Sequence, residues 1–189
     1  MNSVCGYSIA EYIQKLTDFH GNFAPGLFIG GYMVDIAKRH VCQYEIFDAI
    51  CESPACLPDA IQMLTPCTIG NGWLKIVDTG RFAIALYEKT GGHGVRISLD
   101  AAKLDAYPEI KNWFLRLTAK SEQNRDDLIR QIIDAGDDIY SVREVTVSPG
   151  LLRKHKHGGR IALCVSCGEA YPEEDGTVCL ACQGMDIYR

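Results

Sequence analysis

Apolar side chains recur at helical spacing near the start of the chain. Within residues 8–16, Ile9, Ile13 and Leu16 fall on one face with Tyr12 alongside, which predicts an amphipathic helix. Residues 18–26, DFHGNFAPG, interrupt that pattern with glycines and a proline. A second helix is expected over residues 27–39, carrying Leu27, Ile29, Met33, Ile36 and Ala37 inward. It contains Gly30-Gly31, and each glycine costs an exposed helix interior roughly 1 kcal/mol relative to alanine, so the pair predicts close approach of another backbone. Residues 57–64, LPDAIQML, read as a short helix with Pro58 near its first position and Asp59 in the first turn, where a negative charge suits the dipole. Two further helices are expected over 109–117 and 123–135, the latter with Leu128, Ile132 and Ala135 on one stripe.

Strand patterns alternate with these helices. Residues 44–50 form a short, mostly apolar run, and Val95, Ile97 and Leu99 alternate with polar residues as a strand with one wet face should. Residues 73–77 and 82–87 flank Asp78-Thr79-Gly80-Arg81, which predicts a β-hairpin. A last strand over 142–147 stops at Ser148-Pro149-Gly150. The order lacks the regular βαβ spacing of a doubly wound sheet, so the fold class expected is α+β. The organisation expected is a core domain over 1–150, a charged, glycine-bearing linker over 151–160 and a small module over 161–189.

Length and charge narrow the reading. The chain has 189 residues, 47% of them hydrophobic, enough for one substantial domain plus a small module. Its formal charge of -5 argues against a nonspecific nucleic-acid coat, and no stretch approaches the roughly 18 consecutive apolar residues of a membrane helix. The nine cysteines are an odd count, and the opening MNSVCGYS lacks a basic region followed by an apolar one. A reducing, cytoplasmic setting is therefore expected, with thiols available to metals.

Cys164 and Cys167, then Cys179 and Cys182, form two CxxC pairs separated by eleven residues. Four soft thiolates at this spacing suit tetrahedral zinc, and Gly168 fits the knuckle turn after the first pair. The segment has few large apolar side chains, so metal ligation would supply folding free energy that its core cannot. With four protein ligands no position stays open for substrate, so this zinc is expected to be structural. Residues 151–189 hold five basic and five acidic residues, which leaves only the cluster Arg153, Lys154, Lys156 and Arg160 to attract nucleic acid.

The core offers a looser constellation. His20 lies in the joint between the first two helices, Cys51 and Cys56 bracket Glu52-Ser53-Pro54-Ala55, and Cys67 follows the helix that carries Asp59. A histidine and two thiolates from separate loops can hold a second transition metal with an open position. Equally, Cys42, Cys51 and Cys67 read as small buried hydrophobes. Lys89 and Arg96, near Gly91-Gly92-His93-Gly94, are candidates for an anion, although that turn matches no nucleotide fingerprint.

The segment Phe19-His20-Gly21-Asn22-Phe23-Ala24-Pro25-Gly26, followed by Gly30-Gly31-Tyr32, resembles a signature of the E-subunit family of formylmethanofuran dehydrogenases. So does the segment from Cys56-Leu57-Pro58-Asp59-Ala60-Ile61-Gln62 to Cys67-Thr68-Ile69-Gly70-Asn71-Gly72. With the terminal cysteines, the resemblance covers nearly the whole chain. It implies an α+β core with an auxiliary treble-clef zinc finger, a homodimer, and association with a molybdenum or tungsten oxidoreductase of C1 metabolism. The family's first motif is His-Gly-His, one residue, then Cys-Pro-Gly; here Asn22 and Ala24 replace the second histidine and the cysteine, and Asn71 replaces a lysine. What remains is His20, Cys56 and Cys67 as core ligands, with Asp59 to orient the histidine or receive a proton.

These readings give a zinc-binding partner protein serving assembly, metal handling or subunit organisation as the first expectation. A metal-dependent enzyme acting on a one-carbon carrier or related small molecule is the second, with His20 as base or ligand and Asp59 beside it. A regulatory nucleic-acid module ranks third. The homodimer is expected from the resemblance; the apolar, glycine-bearing helix over 27–37 reads either as a close contact with a second chain or as ordinary burial within its own.

Overall fold

A computed structural model of the chain describes residues 3–41, 43, 46–152 and 160–185. Cys42 and the basic residues Arg153, Lys154 and Lys156 lie outside them. The chain forms two compact units, Met1–Leu152 and Arg153–Arg189.

The core unit opens with β1 (Ser3–Val4) and β2 (Tyr7–Ser8), joined by a tight turn at Cys5-Gly6 with φ of 50° and 85°. Helix α1 (Ile9–His20) starts at a capping box, Ser8 with Glu11, and stops at Gly21 in the left-handed conformation. Helix α2 (Pro25–His40) has Pro25 in its first turn and buries both its apolar face and its glycines. A β-carbon at Gly30 would lie 2.9 Å from Ala60 Cβ and 3.0 Å from Leu57 Cδ2, and one at Gly31 would collide with the Tyr12 hydroxyl. The glycine pair thus seats α2 against α3 (Leu57–Leu64) and α1 within one chain. Of the two readings of this helix, burial within its own chain is the one its apolar side takes.

The main sheet runs in the order β4, β3, β5, β6, β7, built from β3 (Phe47–Cys51), β4 (Leu74–Ile76), β5 (Ala83–Glu88), β6 (His93–Leu99) and β7 (Tyr140–Thr146). The hairpin expected between residues 73–77 and 82–87 does not form. Strand β4 pairs parallel with β3, Ala49 opposite Leu74, and β5 pairs antiparallel with the other edge of β3. Helix α3 is the crossover of this βαβ unit. Residues 78–82 carry the chain around the end of β3, where the Val77 amide donates to Cys51 O, Thr79 N to Glu52 O and Glu52 N to Ala83 O. The turn at Gly80 is present, but it passes over a third strand. The hairpin in this region joins β5 to β6, with the Glu88 carboxylate accepting from the Thr90 and Gly91 amides.

Strand β5 is buried on both faces. Ile84 and Leu86 join the main core under the helices, while Ala85 and Tyr87 join a smaller cluster with Ile50 and Val147. Beyond β6 come α4 (Pro108–Phe114), α5 (Arg125–Ala135), capped by Asn124, and, after β7, the short α6 (Pro149–Leu152). Helix α4 ends earlier than its pattern predicts. The Arg116 amide donates to Trp113 O and the Leu117 amide to Asn112 O, a Schellman closure with Arg116 at φ 54°, the place glycine usually takes. The terminal unit contains its own antiparallel pair, β8 (Ile161–Leu163) and β9 (Ala170–Pro172).

Candidate functional site

The four terminal cysteines converge. The sulfurs of Cys164, Cys167, Cys179 and Cys182 all lie within 4.8 Å of one another, and those of Cys167 and Cys179 are 3.7 Å apart. Zinc–sulfur bonds of about 2.3 Å in a tetrahedron place sulfurs about 3.8 Å apart, so the cluster has the dimensions zinc needs. The knuckle closes through Gly168 N to Cys164 O at 2.8 Å, with Gly168 at φ 80°. Amides of Cys179, Cys167 and Ser166 aimed at Cys164 hold its thiol down to about 6. The Glu169 amide favours the Cys167 thiolate, but the sulfurs of Cys164, Cys179 and Cys182 outweigh it and push that thiol up to about 12. Four thiols this close ionise together only around a cation, and the donor set fits Zn2+.

In the core, the structure brings together two of the expected groups and separates a third. His20, the last residue of α1, places Nδ1 2.7 Å from Asp59 Oδ2 in the first turn of α3. Cys56 precedes α3 in a strained turn: φ is 61°, ψ is -55°, and the Leu57 amide donates to Ala55 O at 2.7 Å. Such a γ-turn at a non-glycine residue costs on the order of 1–3 kcal/mol. It presses the sulfur onto the start of α2, where a β-carbon at Gly26 would lie 3.1 Å from Cys56 Sγ. Burial, with the Asp59 charge, pushes the Cys56 thiol up, against the Leu27 amide and Lys120, which favour its thiolate.

Cys67 is elsewhere. It is fully buried, its sulfur 3.5 Å from Phe47 O, and burial pushes its thiol up to about 11. The expectation that His20, Cys56 and Cys67 share one metal is corrected. Among the described residues, only the terminal cysteines gather three or more His, Cys, Asp or Glu ligand atoms within 4.8 Å. The reason is helix length: Cys56 and Cys67 flank the eight residues of α3, which separate its ends by about 12 Å. Cys51 offers no substitute, being buried in the core with its thiol donating to Ser53 O at 2.9 Å. Lys89 and Arg96 do not share an anion either, because Lys89 pairs with Asp48 at 3.1 Å and Arg96 with Glu52.

What the pattern of residues did not reveal is a cavity of about 770 Å³ beside Cys56. Arg81, Phe82, Arg96, Trp113 and Arg116 line it. Phe82 meets Trp113 edge-on, ring centroids 5.9 Å apart. Glu52 anchors two of the arginines, its Oε1 2.5 Å from Arg96 Nε and its Oε2 2.6 Å from Arg81 Nε, and it also accepts from Thr79 Oγ1 at 3.1 Å. Burial raises the Glu52 carboxyl, but Arg96, Arg81 and Thr79 outweigh it and leave the group below its usual value. The wall therefore keeps a surplus of positive charge.

Residues 19–148 match the family model described as FmdE, molybdenum formylmethanofuran dehydrogenase operon. The chain belongs to the FmdE family. Residues 155–189 match the FmdE treble clef zinc finger, so the terminal cysteine cluster is that of an FmdE zinc finger. A crystal structure of a tungsten formylmethanofuran dehydrogenase FmdE-like protein from Syntrophus aciditrophicus is 49% identical, with a TM-score of 0.91 over 100% of this chain and 98% of that one. A probable S-adenosyl-L-methionine-binding protein of Archaeoglobus fulgidus is 26% identical over 93% of this chain. The chain spans 53% of that relative's length.

The departures from the FmdE pattern have local structural readings. Ala24 stands at the N-cap of α2 and supplies no side-chain cap, where the family motif carries a thiol. Asn71 staples its own loop, accepting from the Thr68 and Trp73 amides at 3.1 and 3.0 Å and donating to Pro66 O at 2.7 Å. These bonds need an amide, and the lysine of the family pattern has no acceptor to offer the two backbone donors.

Proposed function

We propose that this FmdE-family chain is a zinc-braced accessory protein of a molybdenum or tungsten formylmethanofuran dehydrogenase-type oxidoreductase in C1 metabolism. Its role is assembly, metal handling or subunit organisation in the reducing cytoplasm. The observation that carries this reading over independent catalysis is the contrast between the two thiol sets: four terminal sulfurs converge, whereas His20, Cys56 and Cys67 do not. A closed four-thiolate zinc has no open position, so its contribution is a folded surface.

Affinity purification of the tagged chain from its native cells, with quantitative mass spectrometry, tests the proposal. Recovery of a molybdenum or tungsten redox protein in fixed ratio is expected. Its absence, together with turnover of a one-carbon carrier by the isolated chain, overturns it. The homodimer belongs to the same proposal, and sedimentation that gives a monomer mass at every dilution rejects it.

A second reading has its own observation, the His20–Asp59 pair close to a strained Cys56. Asp59 orients the His20 ring through Nδ1, as a carboxylate beside a ligating or proton-moving histidine does. In that reading the core is a metal-dependent enzyme site for a small molecule, with His20 and Asp59 moving the proton. Loss of a purified activity in His20→Ala, with zinc content unchanged, is its signature.

A further inference from the structure

Three described non-glycine residues have positive φ: Cys5, Cys56 and Arg116. Cys5 sits in the two-residue turn between β1 and β2, where the turn geometry demands it. The other two both line the cavity of about 770 Å³. At the close of α4, where glycine would be unstrained, the chain instead keeps a guanidinium. Backbone strain retained where the side chain faces a cavity motivates a role for that side chain.

Two independent features of the cavity say what it would hold. The first is charge. Arg81 and Arg96 share the single carboxylate of Glu52, and Arg116 makes no ion pair among the described residues, so three guanidinium groups face one carboxylate. Lys120 adds a further cation to a smaller cavity of about 340 Å³ that shares Arg116 and Trp113 as walls. The second is shape and polarity. Phe82, Trp113 and Phe114 form a continuous aromatic wall, each half-buried, with ring centroids 5.9 to 6.2 Å apart. Trp113 is fixed from behind, since a β-carbon at Gly26 would lie 3.4 Å from its Cζ2. A preformed aromatic wall takes a flat ring, and arginine takes a phosphate or carboxylate in bidentate fashion.

We propose that the cavity bounded by Arg116, Arg96, Phe82 and Trp113 binds a small planar aromatic anion, its ring on the aromatic wall and its phosphate or carboxylate on Arg116. Arg96 and Arg81, held by Glu52, supply the field that favours the anion. Arg116 supplies the direct contact. The site does not depend on a redox partner, so a failed co-purification and a failed binding measurement report on different claims.

The probes are adenosine 5′-monophosphate and 1-naphthyl phosphate, titrated calorimetrically into the full chain. Adenosine alone supplies the ring, and inorganic phosphate alone the charge. At least one aromatic phosphate is expected to bind at least tenfold more tightly than either half. S-adenosylmethionine carries the same ring with net positive charge and is expected to bind at least tenfold more weakly than the nucleotide. Arg116→Gly separates function from fold, because glycine relaxes the left-handed position. It should raise the melting temperature while weakening the aromatic phosphate at least tenfold. Arg116→Lys, which keeps the charge and loses the fork, should fall between. Failure of both aromatic phosphates to bind at millimolar concentration overturns the proposal. So does binding that Arg116→Gly leaves unchanged, or S-adenosylmethionine binding as tightly as the nucleotide.

Discussion

Gly31 and Glu52 show what single residues decide. A β-carbon at Gly31 would collide with Tyr12, which is fully buried and donates its hydroxyl to Leu27 O at 2.9 Å, so the ring cannot retreat without losing that bond. Gly31→Ala should destabilise the core by about 1–3 kcal/mol from overpacking, more than the roughly 1 kcal/mol that alanine returns in helix propensity. Gly30→Ala, whose β-carbon would meet Ala60 Cβ at 2.9 Å and Leu57 Cδ2 at 3.0 Å, overlaps far less than the 2.0 Å approach at Gly31 and should cost less; urea unfolding of the two variants checks the order. Glu52 ties its stability to pH. Its folded carboxyl lies below the ordinary 4.5, so its contribution is fully present above pH 4.5 and is lost as pH falls through the lowered value. Glu52→Gln should cost about 1–3 kcal/mol at neutral pH, and its denaturant midpoint should fall less steeply on acidification than that of the unmodified chain. The reason for Gly30-Gly31 is legible in sequence as a demand for close approach. The partner of Arg96 is not, because Glu52 lies 44 positions away and only the sheet brings them together.

At the scale of elements, periodicity finds the five longer helices and the type of each long strand, while strand pairing and the short α6 escape it. Residues 57–64 form the helix their pattern predicts, to the residue, since Pro58, Asp59 and the apolar stripe agree. Only a few turn residues separate β4 from β5, which favours a hairpin on paper, yet β4 pairs with β3. The parallel crossover through α3 leaves its trace in sequence as strand, helix, strand over residues 47–76, a pattern hidden by the shortness of β4. Helix length is also readable. Eight helical residues between Cys56 and Cys67 keep the two thiols apart, whereas His20 and Asp59 meet because one ends α1 and the other begins α3. The pairing makes an exchange prediction. Strand β5 is hydrogen-bonded on both edges and buried on both faces, whereas β4 is a three-residue edge strand. Amide hydrogen exchange should be slowest in β5 and at least tenfold faster in β4. Equal protection of the two segments would restore the hairpin.

For the molecule as a whole, the two units stand on different energetic footings. The core unit gathers Leu16, Leu27, Phe28, Ile29, Ile84 and many others into one continuous apolar cluster, so burial alone can fold it. Among its described residues the terminal unit buries Cys164, Tyr171 and Cys179, with Ala162 and Val178 partly buried against them. Two of those three are themselves metal ligands, so the stability of this cluster is the metal's. Structural zinc contributes apparent free energies of about 10–16 kcal/mol near neutral pH, far beyond what this cluster supplies. Cys179→Ala removes both a ligand and a buried side chain, leaving a three-thiolate site without its tetrahedral closure. It should lower zinc from one per chain to well below one by native mass spectrometry and abolish exchange protection across 161–185. The urea transition of the core unit should stay within about 0.5 kcal/mol, because the core unit has an apolar cluster of its own to fold on. A chelator acting on the unmodified chain should reproduce that pattern and be reversed by added zinc. Full zinc occupancy in a protected Cys179→Ala module would refute the four-thiolate assignment, and a core that unfolds with the module would refute the separate footing.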